Sequence, residues 1–286
     1  MSASGETIGL DEAAALGRMQ VRAADRAGAA ALRRGRLVED TLSRFSPLLL
    51  LLLWELLARV GILDVRFYPA PSTIFGVWLK LAQSGEWFGH VGISMQRVAT
   101  GFALGTLPAL FIGIAMGLSP LIRSLLEPSI AALYPIPKIA IFPLVMLVFG
   151  LGEMNKYVIV AIGVFFQVVI NTVVGVVNIE QIYLDVGKNF GAKKKDFYLG
   201  IALPGALPVI FAGLRLGWGV ALLLLVTAEL ANAKSGLGYL IWQSWQTFQI
   251  EEMYIGLVTI SIIGYLSFQL LDLLEHQLIP WKPRKR

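Results

Sequence analysis

The chain has no cysteine among its 286 residues, and its two histidines, His90 and His276, lie far apart in sequence. A disulfide framework and a thiolate metal site are therefore excluded, and a metal centre finds no ligand set. Charge is scarce as well: 15% of residues are charged against 56% apolar. That balance is too greasy for an ordinary soluble domain and too poor in charge for a disordered one, so the chain belongs in a bilayer. Catalytic signatures are missing too. There is no G-x4-G-K-[ST] for nucleotide phosphates, no H-E-x-x-H and no G-x-S-x-G, which leaves a membrane enzyme without a reaction centre. The net charge of +5 does not point to nucleic acid, because the basic residues cluster beside apolar runs, where membrane orientation rules place them.

What is present is an all-α pattern of apolar runs. Crossing a hydrocarbon layer of about 30 Å takes roughly 20 helical residues, and six stretches qualify: Ser46–Leu63, Val98–Ser119, Ile130–Leu151, Tyr157–Val177, Leu207–Leu230 and Tyr254–Glu275. The first is short and holds Glu55 and Arg59, which are spaced to pair on one helix face. With the amino end inside, sixteen of the 24 Lys and Arg residues fall on inner segments, which predicts six spans with both termini cytoplasmic. Residues 1–45 form an Arg-rich cytoplasmic segment that reads either as a partly ordered tail or as an amphipathic helix on the inner leaflet. Residues 46–276 form the membrane domain and 277–286 a basic tail. Between the first two spans, Ser72 is placed to cap an external interfacial helix through Gln83, with Trp78, Trp87 and Phe88 at headgroup depth.

Small residues recur at every fourth position in the second span, at Gly101, Gly105, Ala109, Gly113 and Gly117, and again at Gly213, Gly217 and Ala221 in the fifth. Such stripes let helix backbones approach closely, within one chain or between two. In "YPIPKIAIFPL", Pro135, Pro137 and Pro143 each free a carbonyl, so the third span should be broken and face inward. Polar residues at membrane depth mark a candidate pathway: Tyr134, Pro137, Lys138, Phe166, Gln167, Asn171, Arg215 and Glu229. Lys138 reads equally as a lysine snorkelling to the inner surface. Arg215 and Glu229 are 14 residues apart, about 21 Å along a helix axis, so they cannot pair with each other.

The polar insert "DVGKNFGAKKKDFYLGIALP", Asp185 to Pro204, interrupts the apolar chain. It reads D-V-G-x3-G-x9-I-x-L-P and resembles the "EAA" loop of ABC-transporter permeases, E-A-A-x3-G-x9-I-x-L-P. Asp185, Val186 and Gly187 replace the first three residues, while Gly191 and the Ile201, Leu203, Pro204 unit are intact. The neighbouring runs "YPIPKIAIFPLVMLVFGLGEMNK", "LPGALPVIFAGLRLGWG" and "TAEL" also look like the permeases that import nitrate, sulfonates, taurine or bicarbonate. The likeness covers about residues 65 to 275.

That resemblance implies a type I ABC importer permease fold with a cytoplasmic coupling helix in the loop 180–206. Asp185, Gly187, Gly191, Ala192, Lys193, Phe197, Tyr198, Ile201, Leu203 and Pro204 would meet a separate ATPase subunit. Gly191 would allow the sharp turn, and Phe197 and Tyr198 would act as apolar anchors. The chain is then a transport subunit, not an enzyme, of the bacterial inner membrane. It would hold no cofactor, with ATP and Mg on two partner ATPases, a second permease as a homodimer, and an external solute-binding protein. The cargo implied is a small anion. An ion-gradient-driven secondary transporter is the other reading, disfavoured by the lack of a visible internal repeat and by few deep carboxylates.

Overall fold

The computed structural model describes residues 45–193 and 197–281. The Arg-rich segment before residue 45, Lys194, Lys195, Asp196 and the tail 282–286 lie outside the described residues, and with them the expectations placed there. The chain divides into two compact units, Met1–Pro71 and Ser72–Arg286.

In the first unit, helix α1 covers 45–59 and its leucines 48–53 are exposed. Arg59 donates to Glu55 at 2.5 Å, as the i, i+4 spacing predicts. The expected span to Leu63 is shortened because Gly61 turns to φ 80° and the Ile62 N–H returns to the Leu57 carbonyl (3.1 Å), a glycine-terminated helix end.

The second unit opens with α2 (Pro71–Ser84) and α3 (Glu86–Leu118). Pro71 begins α2, so Ser72 stands inside the first turn and not at its cap. Gly85, at φ 84°, is the only break between the two helices, and α3 starts twelve residues before the expected Val98. Trp87 consequently lies within α3 and donates to Thr259 across the bundle at 3.0 Å, a tie between helices in addition to any interfacial role. The stripe of small residues on α3 packs against α6 (Met154–Val177) of the same chain: a Cβ at Gly101 would meet Val160, at Gly105 the Ala161 backbone, and at Gly113 Thr172. Gly213 and Gly217 of α8 (Leu203–Asn232) likewise receive Asn171, Val164 and Val168 of α6. The stripes therefore act within one subunit, and α6 sits between α3 and α8. Val160, Val164, Val168, Val169, Ala221 and Leu225 form the centre of the core.

The third expected span is broken, as its prolines predict. Helix α4 (Pro120–Leu133) and the segment Lys138–Phe149, which contains a 3-10 turn and α5 (Phe142–Phe149), meet at 87°. Helix α7 (Gln181–Asn189) and a π-helical turn at Tyr198–Ala202 lead into α8. The loop after α8 contains a further helix, α9 (Leu237–Gln246), and α10 (Ile250–Leu278) closes the unit. Among the described residues, four helices, α3, α6, α8 with its preceding turn, and α10, are long and apolar enough to span, or five spans if the bent pair counts as one. The expected count of six included α1, whose described part is about 22 Å long at 1.5 Å per residue, too short by itself for a 30 Å layer.

Candidate functional site: the interhelical loop and the polar membrane residues

The loop that carries the quoted motif is built by two glycines with different jobs. Gly191 ends α7 at φ 68°, a left-handed conformation that side chains with a Cβ resist. The Ala192 N–H then reaches back to the Gly187 carbonyl at 2.9 Å, closing the helix end. No atom lies within 4 Å of a Cβ built at Gly191, so the demand there is on the backbone alone. Gly187 is the reverse case. It is buried, and a Cβ on it would press on Ile201 Cδ1 and stand 3.3 Å from the Phe197 ring. Ile201 of the I-x-L-P unit is thus seated against the position where the resembled motif has an alanine.

The rest of the loop forms an open cavity of about 780 Å³, lined by Ile179, Tyr183, Phe190, Ile201, Pro204 and Trp281 among others. Phe190 is 86% exposed, and Ile182, Tyr183 and Val186 show a further apolar face of α7. Asp185 and Lys193 are exposed, Ala192 and Phe197 half-buried, and Leu203 and Pro204 open α8. The side chain of Tyr198 is outside what the structure describes.

Among the membrane-depth residues, the structure brings Tyr134, Lys138 and Phe166 together. Lys138 Nζ donates to the carbonyls of Leu133 (2.9 Å), Tyr134 (2.8 Å) and Ile136 (2.8 Å). It also stands 4.2 Å from the centre of the Phe166 ring and 5.8 Å from that of Tyr134. Pro135 and Pro137 leave carbonyls at this break without helical partners, and the ammonium collects them at the negative end of α4. The Pro137 carbonyl accepts from Ala140 (2.9 Å) and starts the 3-10 turn. Asn171 donates to the Gln167 carbonyl one turn back at 2.8 Å, and its Cβ faces Gly213 on α8. Arg215 forms ion pairs with Asp272 and Glu275 of α10.

Residues 109–280 match the family of binding-protein-dependent transport system inner membrane components. The chain is also 31% identical over 246 residues to the taurine transport system permease protein TauC of Escherichia coli (strain K12), covering 84% of this chain and 90% of that one. It belongs to the ABC importer permeases. SsuC of Bacillus subtilis (strain 168), whose name assigns it provisionally to aliphatic sulfonates, is 36% identical over 236 residues, covering 82% of this permease and 86% of SsuC. The nitrate import permease protein NrtB of Leptolyngbya laminosa is 28% identical over 193 residues, 68% of this chain and 69% of that. Among solved structures, the MetNI methionine ABC transporter in an inward-facing form matches with a TM-score of 0.54 at 17% identity, over 65% of this chain and 92% of that one, which establishes the shared fold. The permease is a transport subunit of a membrane assembly, and the family membership favours it over a secondary transporter.

At the end of the permease bundle opposite the α7 loop lies a charged cluster that sequence reading found only in part. Glu229 has no exposed side-chain surface. It accepts from Arg97 (2.8 Å), from Ser94 Oγ (2.9 Å) and from the Gly238 N–H (2.8 Å) at the start of α9. The loop "SGLG" wraps this carboxylate so closely that a Cβ at Gly236, whose φ is 112°, would overlap it. Leu237 N–H donates to Ser94 Oγ (2.8 Å) and Gly236 N–H to His90 Nδ1 (3.0 Å). A negative charge at a helix amino end is favourable, and here it clamps α9 to α3 and α8. Arg97 turns its other edge to Glu153, with bonds of 2.5 and 2.7 Å. Ser94, Arg97 and Glu153 were missed because the first two sit on α3, Glu153 in the loop before α6, and Glu229, the partner that Ser94 and Arg97 share, on α8. The one available signal was a lone arginine and a lone glutamate in separate apolar runs, each needing a partner.

Proposed function

We propose that this permease forms half of the translocation pathway of an ATP-driven importer for a small oxyanion of the sulfonate, taurine or nitrate kind. Its relatives' names support the cargo class. In this reading a second copy completes the pathway, two ATPase subunits carrying ATP and Mg dock on the loop 180–206, and an external binding protein delivers solute. Both termini then face the cytoplasm, and the cluster around Glu229 lies on the outer side. Loop residues Asp185, Gly187, Gly191, Ala192, Lys193, Phe197, Tyr198, Ile201, Leu203 and Pro204 carry the coupling, and the group Tyr134, Lys138 and Phe166 lines the path.

The observation that supports it most is the packing of Ile201 on Gly187 next to the closed turn at Gly191. It ties α7 to the root of α8, so a force on α7 passes to a membrane helix without loss in a slack loop. The exposed apolar face at Ile182, Tyr183, Val186 and Phe190 has the character of an interface core. The test is ATP-dependent uptake of radiolabelled taurine, nitrate and a neutral amide by the reconstituted complex. Uptake of taurine or nitrate that stops without ATP supports the reading, whereas uptake that persists without ATP and stops with an uncoupler overturns it. Lys138→Met is expected to slow anion uptake, and an unchanged rate removes Lys138 from the path.

A further inference from the structure

Charge at the cluster opposite the loop does not balance inside the protein. Arg97 and Lys156 have side chains 3% and 2% exposed, and Glu229 is wholly enclosed. The enclosed part thus carries two positive charges against one negative. The fourth member, Glu153, supplies the balancing charge from outside, with a side chain 50% exposed. Buried cations require such compensation.

The geometry around Glu153 is that of an oxyanion receptor. Arg97 presents Nε and one terminal nitrogen side by side, the two-pronged edge that matches two oxygens of a planar or tetrahedral anion. Its remaining edge is already taken by Glu229 and the Ser235 carbonyl (2.6 Å), which holds the guanidinium in place. Lys156 Nζ donates to the Gly152 carbonyl at 2.9 Å and stands 3.8 Å from Glu153, so a three-donor ammonium retains capacity for a closer acceptor. Helix α6 begins at Met154, and its positive end points at the same place. Gly150, at φ 75°, and Gly152 precede Glu153, and a Cβ at either would meet nothing within 4 Å, so the approach to the carboxylate is open.

We propose that Arg97, Lys156 and the amino end of α6 form a binding site for one small monovalent oxyanion, sulfonate or nitrate in chemistry, which the Glu153 carboxylate fills when no anion is bound. One net positive charge in the enclosed part selects one negative charge in the ligand. Glu153 then acts as a tethered competitor that solute must displace. The inference deepens the cargo reading above and rests on it for the biological ligand, but the site's chemistry follows from these side chains alone.

The experiment uses the intact detergent-purified complex and titrates methanesulfonate against its neutral analogue dimethyl sulfone at constant ionic strength, reading the melting midpoint. Glu153→Gln keeps the shape and removes the competing charge. Methanesulfonate should bind it about tenfold or more tighter than wild type, the worth of one charge-assisted hydrogen bond. Lys156→Met added to Glu153→Gln should return the affinity toward wild type. Glu153→Ala serves if the glutamine variant is poorly folded, with the same gain expected. Equal affinities in wild type and both Glu153 variants, or an equal response to dimethyl sulfone, overturn the site. Binding that follows this pattern in a complex unable to import any anion would overturn the cargo reading and leave the site standing.

Discussion

Ile201 occupies the space that a side chain at residue 187 would fill. Its Cδ1 lies where the missing Cβ of Gly187 would project, and the Phe197 ring closes the same gap from 3.3 Å. Two residues fourteen apart in sequence thereby join helix α7 to the turn that opens α8.

Substitutions at residue 187 should grade with size. Gly187→Ala presses on the far end of the Ile201 side chain, which can rotate away, and stands 3.3 Å from the Phe197 ring, so it should leave ATP-driven uptake near wild type. Gly187→Leu overfills the gap, at a cost of about 1–3 kcal/mol. It should uncouple ATP hydrolysis from uptake in the reconstituted complex, while membrane insertion is unaffected.

Gly191 should respond to backbone chemistry rather than volume, since the space around it is open. Gly191→Asn tolerates the left-handed conformation, whereas Gly191→Val resists it, and the difference is roughly 1–2 kcal/mol. Uptake rates should follow the order Gly, Asn, Val. Equal rates for Asn and Val would remove φ 68° as the reason for the glycine.

Breaking the buried Arg97–Glu229 pair from either side leaves the remaining member without its closest opposite charge and with its buried hydrogen bonds unmade. Glu229→Ala or Arg97→Ala should cost about 3–5 kcal/mol, seen as a lowered melting midpoint or loss of folded protein in the membrane. Gly236→Ala should also be damaging, because its φ of 112° and the adjacent Glu229 carboxylate both exclude a side chain. Gly89→Ala, where a Cβ meets nothing within 4 Å, is the control expected to be silent.

Acid should weaken the same region through Glu153. The Arg97 hydrogen bonds hold its carboxyl below the ordinary range, despite an opposing push from partial burial. A carboxyl whose folded value is depressed contributes stability that is present above its unfolded value, about 4.3, and is lost as pH falls through the folded one. The melting midpoint of wild type should therefore fall more steeply than that of Glu153→Gln below about pH 4.5. Parallel curves would show that Glu153 contributes nothing to pH dependence.

Much of the fold was legible because the bilayer restricts the options. Apolar runs of sufficient length must be helices, and glycines at every fourth position must bring helices together. The stripe from Gly101 to Gly117 announced a close contact but could not say with what, since the answer, Val160 to Val176, lies on another helix. The proline run at 135–143 announced a break, yet not the 87° bend or the folding of Lys138 onto its own freed carbonyls. The loop motif was readable because its spacing is local. The reason the chain carries glycine at residue 187, the Ile201 side chain packed against it, lies fourteen residues further on.

Composition and spacing alone determined that this is a helical membrane protein with a polar insert at Asp185–Pro204, because hydrophobic length and local polarity are properties of a single stretch of chain. Tertiary structure decided the partners of Arg97, Arg215 and Glu229, because an ion enclosed in a low-dielectric interior is neutralised by whichever opposite charge the packing brings near, and that charge came from residues 56 to 132 positions away. The outcome is a charge cluster drawn from three helices and one loop, with the half-exposed Glu153 on its open side.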